Sequence, residues 1–171
     1  MKLDITEQML FALLRSALHG THADATIFAG ITSEAWQECY RLSVRQGVMA
    51  LAWDGLITLP TELQPPKSLK INWWLAVERC EKRYRYYCRV ISDLSTFYAT
   101  HGITAVQLKG VGFANNYPIP SHREGGDIDI FTYSADSSGL SDREANSLAD
   151  KLRWIFRIRK STVCFIIKVF R

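Results

Sequence analysis

Residues 107–131, QLKGVGFANNYPIPSHREGGDIDIF, are the most informative part of this chain. Two carboxylates, Asp127 and Asp129, stand two residues apart in an apolar run with Ile128 and Ile130. Residues two apart in a strand point to the same face, so the pattern predicts a strand that projects both carboxylates together and buries the isoleucines. A cation relieves the repulsion between two such groups, and oxygen ligands suit Mg²⁺ or Mn²⁺. The sequence therefore predicts a divalent-metal site at Asp127 and Asp129.

A glycine turn precedes this strand. Lys109 and Gly110 follow an apolar stretch at residues 103–106, which is typical of a strand that ends at a glycine and runs into a helix. Such a turn presents free backbone N–H groups, and these groups bind phosphate well at the positive end of a helix. Lys109 and Arg123 add positive charge nearby. A phosphate site beside a metal-binding pair of carboxylates indicates nucleotide chemistry.

The ordered motifs resemble a known family. A strand, a glycine-containing turn, a helix and a second strand with Asp-x-Asp are typical of the DNA-polymerase-β-like nucleotidyltransferase superfamily. More narrowly, the chain resembles the branch of uncharacterised bacterial nucleotidyltransferases, in which Leu-Lys-Gly, Tyr-x-x-Pro, Arg and Asp-Ile-Asp follow one another. Those motifs occur here at Leu108-Lys109-Gly110, Tyr117, Pro120, Arg123 and Asp127-Ile128-Asp129.

This resemblance implies a reaction and its site. The reaction is transfer of a nucleoside monophosphate from an NTP to an acceptor hydroxyl, with Mg²⁺ or Mn²⁺ as the cofactor of a two-metal site. Asp127 and Asp129 are implied as the catalytic metal ligands, and Lys109, Gly110 and Arg123 as the residues that bind the nucleotide. The acceptor stays open among small molecules, proteins, sugars and RNA.

One departure from the family pattern concerns a third carboxylate. Enzymes of this superfamily generally carry it on a later strand, and in this branch it lies between apolar residues and before a histidine. No Asp, Glu or His follows Asp150. We therefore expect an impaired or inactive enzyme, in a chain truncated or altered after about residue 150. The alternative is a non-catalytic interaction module that retains the fold; a sugar-nucleotide glycosyltransferase, which also uses Asp-x-Asp, fits the Lys109-Gly110 turn less well.

Helical periodicity dominates the first 100 residues. The predicted helices cover residues 4–19, 33–46, 48–56 and 68–100, with shorter ones at 111–116 and 142–151. Asp4 is the predicted cap of the first helix, and Gly102 is the predicted stop of the long one. The predicted fold class is α+β: a helical region at residues 1–100 packs on a partial nucleotidyltransferase-type mixed β-sheet at residues 101–150.

Aromatic and basic residues interleave along the long helix, from Trp73 and Trp74 to Arg89. An aromatic core face beside a solvated basic face explains this pattern. The remaining interpretations are a nucleic-acid surface and a partner surface, and Glu78, Glu81 and Asp93 dilute the positive field that the first of these requires.

Charge is unevenly distributed. Residues 151–171 hold seven Lys and Arg and no acid, whereas the first 150 residues hold 14 basic and 17 acidic residues. This basic tail, of uncertain structure, fits a frame-shifted coding end, a basic amphipathic segment that contacts anionic partners such as membrane or nucleic acid, or an ordinary terminal strand or helix.

The cellular compartment is predicted from three features that the sequence lacks: a membrane span, a signal peptide and a CxxC pair. No apolar run reaches the roughly 20 residues of a membrane span, and acids as early as Asp4 and Glu7 do not suit a signal peptide. None of the four cysteines belongs to a CxxC motif. We therefore expect a cytoplasmic protein with reduced cysteines.

Overall fold

The computed structural model describes residues 3–107, 109–125, 127–134, 147 and 164–168. Within them, helices α1 to α5 cover Ile5–His19, Ser33–Arg45, Met49–Leu56, Lys67–Thr100 and Val111–Ala114. Strands β1 to β3 cover Ile103–Gln107, Asp127–Ser134 and Cys164–Lys168. Short 3₁₀ turns lie at Ala25–Phe28, Thr61–Leu63 and Pro120–His122.

The described residues belong to two compact units. The first draws on Met1–Arg83 and Asn115–Glu124, and the second on Tyr84–Ala114 and Gly125–Arg171. The division passes through α4, whose two halves belong to different units. The predicted regions 1–100, 101–150 and 151–171 therefore do not coincide with these units, and their independence as domains stays a prediction.

The helix ends follow local chemistry. Asp4 caps α1: its carboxylate accepts from the backbone N–H of Glu7 at 2.8 Å, while the Glu7 side chain accepts from the N–H of Asp4 at 3.0 Å. This reciprocal pair satisfies two N–H groups that the helix leaves unpaired. At the other end of the helical region, α4 stops at Thr100, just before Gly102 with φ of 69°. The predicted cap and the predicted stop are both confirmed.

The core of the first unit lies among α1, α2, α3 and the first half of α4. Its largest buried side chains include Met9, Leu13, Phe28, Trp36, Leu56 and Trp73. Trp73 is fully buried, and its indole N–H donates to the carbonyl oxygen of Met49 at 2.9 Å. This bond satisfies the polar end of an aromatic side chain that otherwise contributes apolar area to the core.

The second unit contains a three-stranded sheet in the order β1-β2-β3. β1 and β2 are antiparallel, with Ile103 opposite Ser134 and Gln107 opposite Ile130. β2 and β3 are parallel, with Asp127 opposite Cys164. The second half of α4 supplies Tyr87, Val90, Leu94 and Tyr98 to a core with Ile103, Ile128 and Ile130. The helix-rich character that the sequence predicted is confirmed.

The remaining predictions about secondary structure and surface differ in detail. The helix predicted at residues 111–116 ends at Ala114. On α4, Trp73 and Tyr87 are buried, whereas Trp74 is exposed, so the aromatic residues do not form one core face. The helix predicted at residues 142–151 lies outside the described residues except for position 147. Of the basic tail, the structure describes Cys164–Lys168, which form a strand.

None of the helices in the described part of the chain has the length and apolar character needed to cross a membrane. Cytoplasmic location stays a prediction. Among the cysteines described, Cys39, Cys80 and Cys88 are free thiols.

Candidate functional site

The two aspartates lie at the start of β2, the middle strand of the sheet. Ile128 is fully buried and Ile130 is 4% exposed. Strand alternation therefore places positions 127 and 129 on the opposite face from the isoleucines. The predicted strand and the predicted burial of the isoleucines are confirmed. The Asp127 and Asp129 side chains lie outside what the structure describes, and their role as metal ligands stays a prediction.

The Lys109-Gly110 turn follows the end of β1. Because β1 and β2 are antiparallel and Gln107 pairs with Ile130, β1 ends at the same end of the sheet at which β2 begins. The structure thus brings together the turn and the aspartates that the sequence assigned to phosphate and metal. Gly110 has φ of 74°, a conformation that favours glycine whether or not a ligand is bound.

The helix after this turn is shorter than the sequence predicted. α5 has four residues, so its dipole contributes little positive potential. A phosphate role for Lys109 and Gly110 therefore depends on the backbone N–H groups of the turn and on the ammonium group of Lys109, which is exposed.

Sequence reasoning missed one polar group beside the turn. The side-chain Nε2 of Gln107 is buried and has no hydrogen-bond partner, the only such side-chain atom in the described part of the chain. A Cβ at Gly112 would lie 3.4 Å from the Gln107 Oε1, so α5 closes over this amide. Gln107 pairs directly with Ile130 and shares its face, so it is no ligand for a metal held between positions 127 and 129.

The third predicted motif, with Tyr117, Pro120 and Arg123, lies in residues 115–124 and belongs to the first unit. Pro120 opens the 3₁₀ turn Pro120–His122, where its fixed φ and missing N–H are tolerated. The N–H of Arg123 donates to the carbonyl oxygen of Pro120 at 3.3 Å. Arg123 is half-buried and engaged with neighbouring groups. Residues 120–123 are thus a formed turn.

His122 is the centre of a buried polar cluster. Its Nδ1 lies 2.8 Å from the carboxylate of Asp54 on α3, and its Nε2 lies 3.1 Å from that of Glu81 on α4. The residue is 5% exposed. His122 is therefore a buried residue of the loop, and two carboxylates compensate for the burial of its polar ring.

The carboxylates also decide the charge of this histidine. Burial by itself lowers the pKa of His122, but the hydrogen bonds and negative charges of Asp54 and Glu81 outweigh it and raise the pKa above its ordinary value. A neutral imidazole has only one N–H donor, whereas here both nitrogens face acceptors. The geometry therefore favours an imidazolium that donates to both carboxylates.

Three further hydrogen bonds hold the same turn. The Glu124 carboxylate accepts from the backbone N–H groups of Met49 at 2.7 Å and Ala50 at 3.4 Å. The Cys80 thiol donates to the carbonyl oxygen of Ser121 at 3.5 Å. Burial raises the pKa of the Cys80 thiol, and the Glu124 charge raises it further, which favours the protonated donor.

No motif in the sequence indicates this cluster. His122 lies 68 residues from Asp54 and 41 residues from Glu81, and each of the three is an ordinary polar residue of a helix or loop. The apolar residues around Asp54 and Glu81 recur at helical spacing. This pattern predicts the two helices, but it does not predict which residues Asp54 and Glu81 contact.

Among the described side chains, no group of three or more His, Cys, Asp and Glu residues is arranged to hold a metal ion. This observation does not extend to the side chains of Asp127 and Asp129. Two carboxylates two positions apart at the start of a strand are chemically suited to a hard divalent cation.

Comparison with known proteins gives one match. No curated protein and no solved structure is similar enough to the chain to count as a match. Residues 32–140, more than half of the chain, match the family described as uncharacterised nucleotidyltransferase. The matched range includes Lys109, Gly110, Arg123, Asp127 and Asp129. The chain that carries this glycine turn and this Asp-Ile-Asp strand therefore belongs to the family of uncharacterised nucleotidyltransferases.

Proposed function

We propose that this chain binds an NTP and that its site is built to transfer a nucleoside monophosphate to an acceptor hydroxyl. One observation carries the proposal: the Lys109-Gly110 turn and the start of β2 lie at the same end of the sheet. Both lie within the residues that match the nucleotidyltransferase family. The partial sheet of the second unit is, in this proposal, of nucleotidyltransferase type.

The proposed roles follow from the chemistry of each group. Asp127 and Asp129 would hold Mg²⁺ or Mn²⁺, which when bound neutralises phosphate charge and lowers the pKa of an attacking hydroxyl. The Gly110 turn offers backbone N–H donors to phosphate oxygens, and Lys109 adds a compact positive charge. Arg123 is a proposed nucleotide-binding residue because its planar guanidinium matches phosphate oxygens in pairs.

The lack of an acidic residue in β3, the strand that pairs with β2, supports the proposal of a weak rather than an efficient enzyme. In the parallel pairing of β2 and β3, Cys164 lies opposite Asp127 and Ile166 lies opposite Asp129. None of the five residues of β3 is acidic. A two-metal site that lacks one ligand misplaces its reacting groups, and small misplacement costs on the order of a hundredfold in rate. We therefore propose NTP binding with slow transfer.

The same observation favours a second candidate, a non-catalytic interaction module that retains the fold. Such a module needs neither the third carboxylate nor a metal. It is distinguished from the first candidate by NTP binding that depends on Mg²⁺ or Mn²⁺, which the module has no reason to show.

Label transfer tests the proposed reaction. The protein is incubated with each NTP labelled at the α-phosphate, with Mg²⁺ or Mn²⁺ and a mixed acceptor extract, beside Asp127→Asn and a surface control, Glu62→Gln. We expect weak transfer in the wild type and the control, and none in Asp127→Asn. Robust Asp127-dependent transfer would show that the site is not impaired. Transfer of equal size in Asp127→Asn would remove the proposed site.

A further inference from the structure

Three groups of the turn at residues 120–124 are attached to helices of the first unit. The carbonyl oxygen of Ser121 accepts from Cys80, and the ring of His122 lies between two carboxylates. The carboxylate of Glu124 accepts from the start of α3. Arg123 is the residue between the last two attachments, so its backbone is held on both sides.

The attachment at His122 is a clasp of three side chains, the His122 clasp, defined as His122, Asp54 and Glu81. The side chains of His122 and Asp54 are 6% and 13% exposed, so water competes little for this hydrogen bond. The Glu81 side chain is 28% exposed and completes the clasp from α4.

Further ionisable groups surround the clasp. On α4 they are the Cys80 thiol and Arg83, which interacts with that thiol, and on the turn itself they are Glu124 and Arg123. Because each ring nitrogen faces a carboxylate, loss of one proton sets a lone pair of the imidazole against a carboxylate oxygen. Deprotonation of His122 thus opens one side of the clasp.

We propose that Asp54, Glu81 and His122 are positioning residues that fix the turn carrying Arg123 for nucleotide binding. The inference rests on the proposed function, because Arg123 binds nucleotide only in that proposal. Replacing a residue that orients a metal ligand through a hydrogen bond typically changes metal affinity or activity by about 10- to 100-fold, and we expect an effect of this order when the clasp that holds the turn is broken.

The test compares two clasp variants, Asp54→Asn and Glu81→Gln, with a matched control, Glu38→Gln. Glu38 also accepts from two side chains, those of Arg41 and Arg45, but on the exposed face of α2. Affinity for ATP with Mn²⁺ is measured by calorimetry, and the rate at which trypsin cleaves after Arg123 is measured by mass spectrometry. We expect affinity to fall about 10- to 100-fold and cleavage to accelerate in the clasp variants, with neither change in the control.

A pH profile separates positioning from a merely structural role. Wild-type affinity for ATP with Mn²⁺ should fall as the pH rises and His122 loses its proton. In Glu81→Gln the fall should move to lower pH, since one negative charge that favours the imidazolium is gone. A profile that stays in place in Glu81→Gln would overturn the inference. If Asp54→Asn fails to fold, the pH profiles of the wild type and of Glu81→Gln still test the positioning role, because Glu81 is the more exposed of the two carboxylates.

The outcomes keep this inference apart from the proposed function. If the wild type binds the nucleotide, Asp127→Asn does not, and both clasp variants bind normally, the clasp has no positioning role while the proposed function stands. If the wild type binds no nucleotide with either metal, the proposed function fails and the role assigned to the clasp fails with it.

Discussion

Glu124 caps helix α3 from 75 residues further along the chain: its Oε1 lies 2.7 Å from the backbone nitrogen of Met49. Val48, the residue at the N-cap position, provides no side-chain hydrogen bond. A carboxylate at this end of a helix satisfies an unpaired N–H group and interacts favourably with the helix dipole. The loop at residues 115–124 therefore completes a helix that the sequence around Val48 leaves uncapped.

Replacement of this cap should destabilise the chain. We expect Glu124→Ala to lower the free energy of unfolding by about 1–2 kcal/mol, the usual effect of losing an N-cap. Urea denaturation followed by circular dichroism measures the change. The exposed residue Glu62 provides the control, and Glu62→Ala should stay within about 0.5 kcal/mol of the wild type. Equal stability of the two variants would mean that the Glu124 bond contributes nothing.

Gly55 should not tolerate a methyl group. A Cβ at this position of α3 would collide with the backbone carbonyl of Leu13 on α1. Glycine to alanine normally stabilises a helix interior by about 1 kcal/mol, but overpacking costs about 1–3 kcal/mol or more when backbone atoms must move. We expect Gly55→Ala to lower the melting temperature. Gly112→Ala is the matched control, because the nearest atoms to its Cβ would belong to the side chain of Gln107 at 3.4 Å and beyond. A melting temperature of Gly55→Ala at or above that of the control would contradict the close approach.

His122 should make stability depend on pH. Burial lowers the pKa of His122, and the hydrogen bonds and charges of Asp54 and Glu81 more than reverse that effect, so the pKa in the folded chain is raised above its ordinary value. A group with a raised pKa stabilises the fold fully below its unfolded pKa and loses this effect as the pH rises through the folded pKa. The stability difference between wild type and His122→Gln should thus be largest near about pH 6 and shrink towards alkaline pH. Urea denaturation at a series of pH values measures it, and a difference that grows with pH would refute the raised pKa.

Features with local signals were predicted well from the sequence. The Asp4 cap and the Gly102 stop depend on residues within one turn of the helix end, so the sequence around them was sufficient. The alternation of Asp127 and Asp129 with buried isoleucines is equally local, and it predicted β2 correctly.

Features that depend on distant partners were not predicted. His122 lies 68 residues from Asp54 and 41 from Glu81, and neither spacing carries a periodic signal. The contacts of Glu124 and Gln107 were missed for the same reason: Glu124 meets the start of α3, 75 residues earlier in the chain, and the amide of Gln107 lies beside Gly112 of α5 only once the second unit has folded. The pairing of β3 with β2 could not be predicted either. The residues of β3 do not indicate which strand will lie beside them in a parallel pair.

The pairing of β3 with β2 has a measurable consequence. In a chain that ends at Asp150, the helices of the first unit should keep their circular-dichroism signal. The backbone groups of β2 that face β3 should lose their partners, and the edge thus exposed should lower solubility. Amide hydrogen exchange should accelerate in residues 127–131 and remain slow in α1 and α3 of the same sample. Unchanged protection of β2 would contradict the parallel pairing with Cys164–Lys168.

Calorimetric titration with ATP and Mn²⁺ tests the proposed nucleotide site most directly, because it needs no acceptor and does not depend on the rate of transfer. The wild type, Asp127→Asn, Asp129→Asn and the control Glu62→Gln are titrated under one set of conditions. We expect the wild type and the control to bind and both aspartate variants to lose binding, because neutral amides are poor ligands for a hard cation. Binding of equal strength in the wild type and in Asp127→Asn would contradict the assignment of this end of the sheet as a metal–nucleotide site.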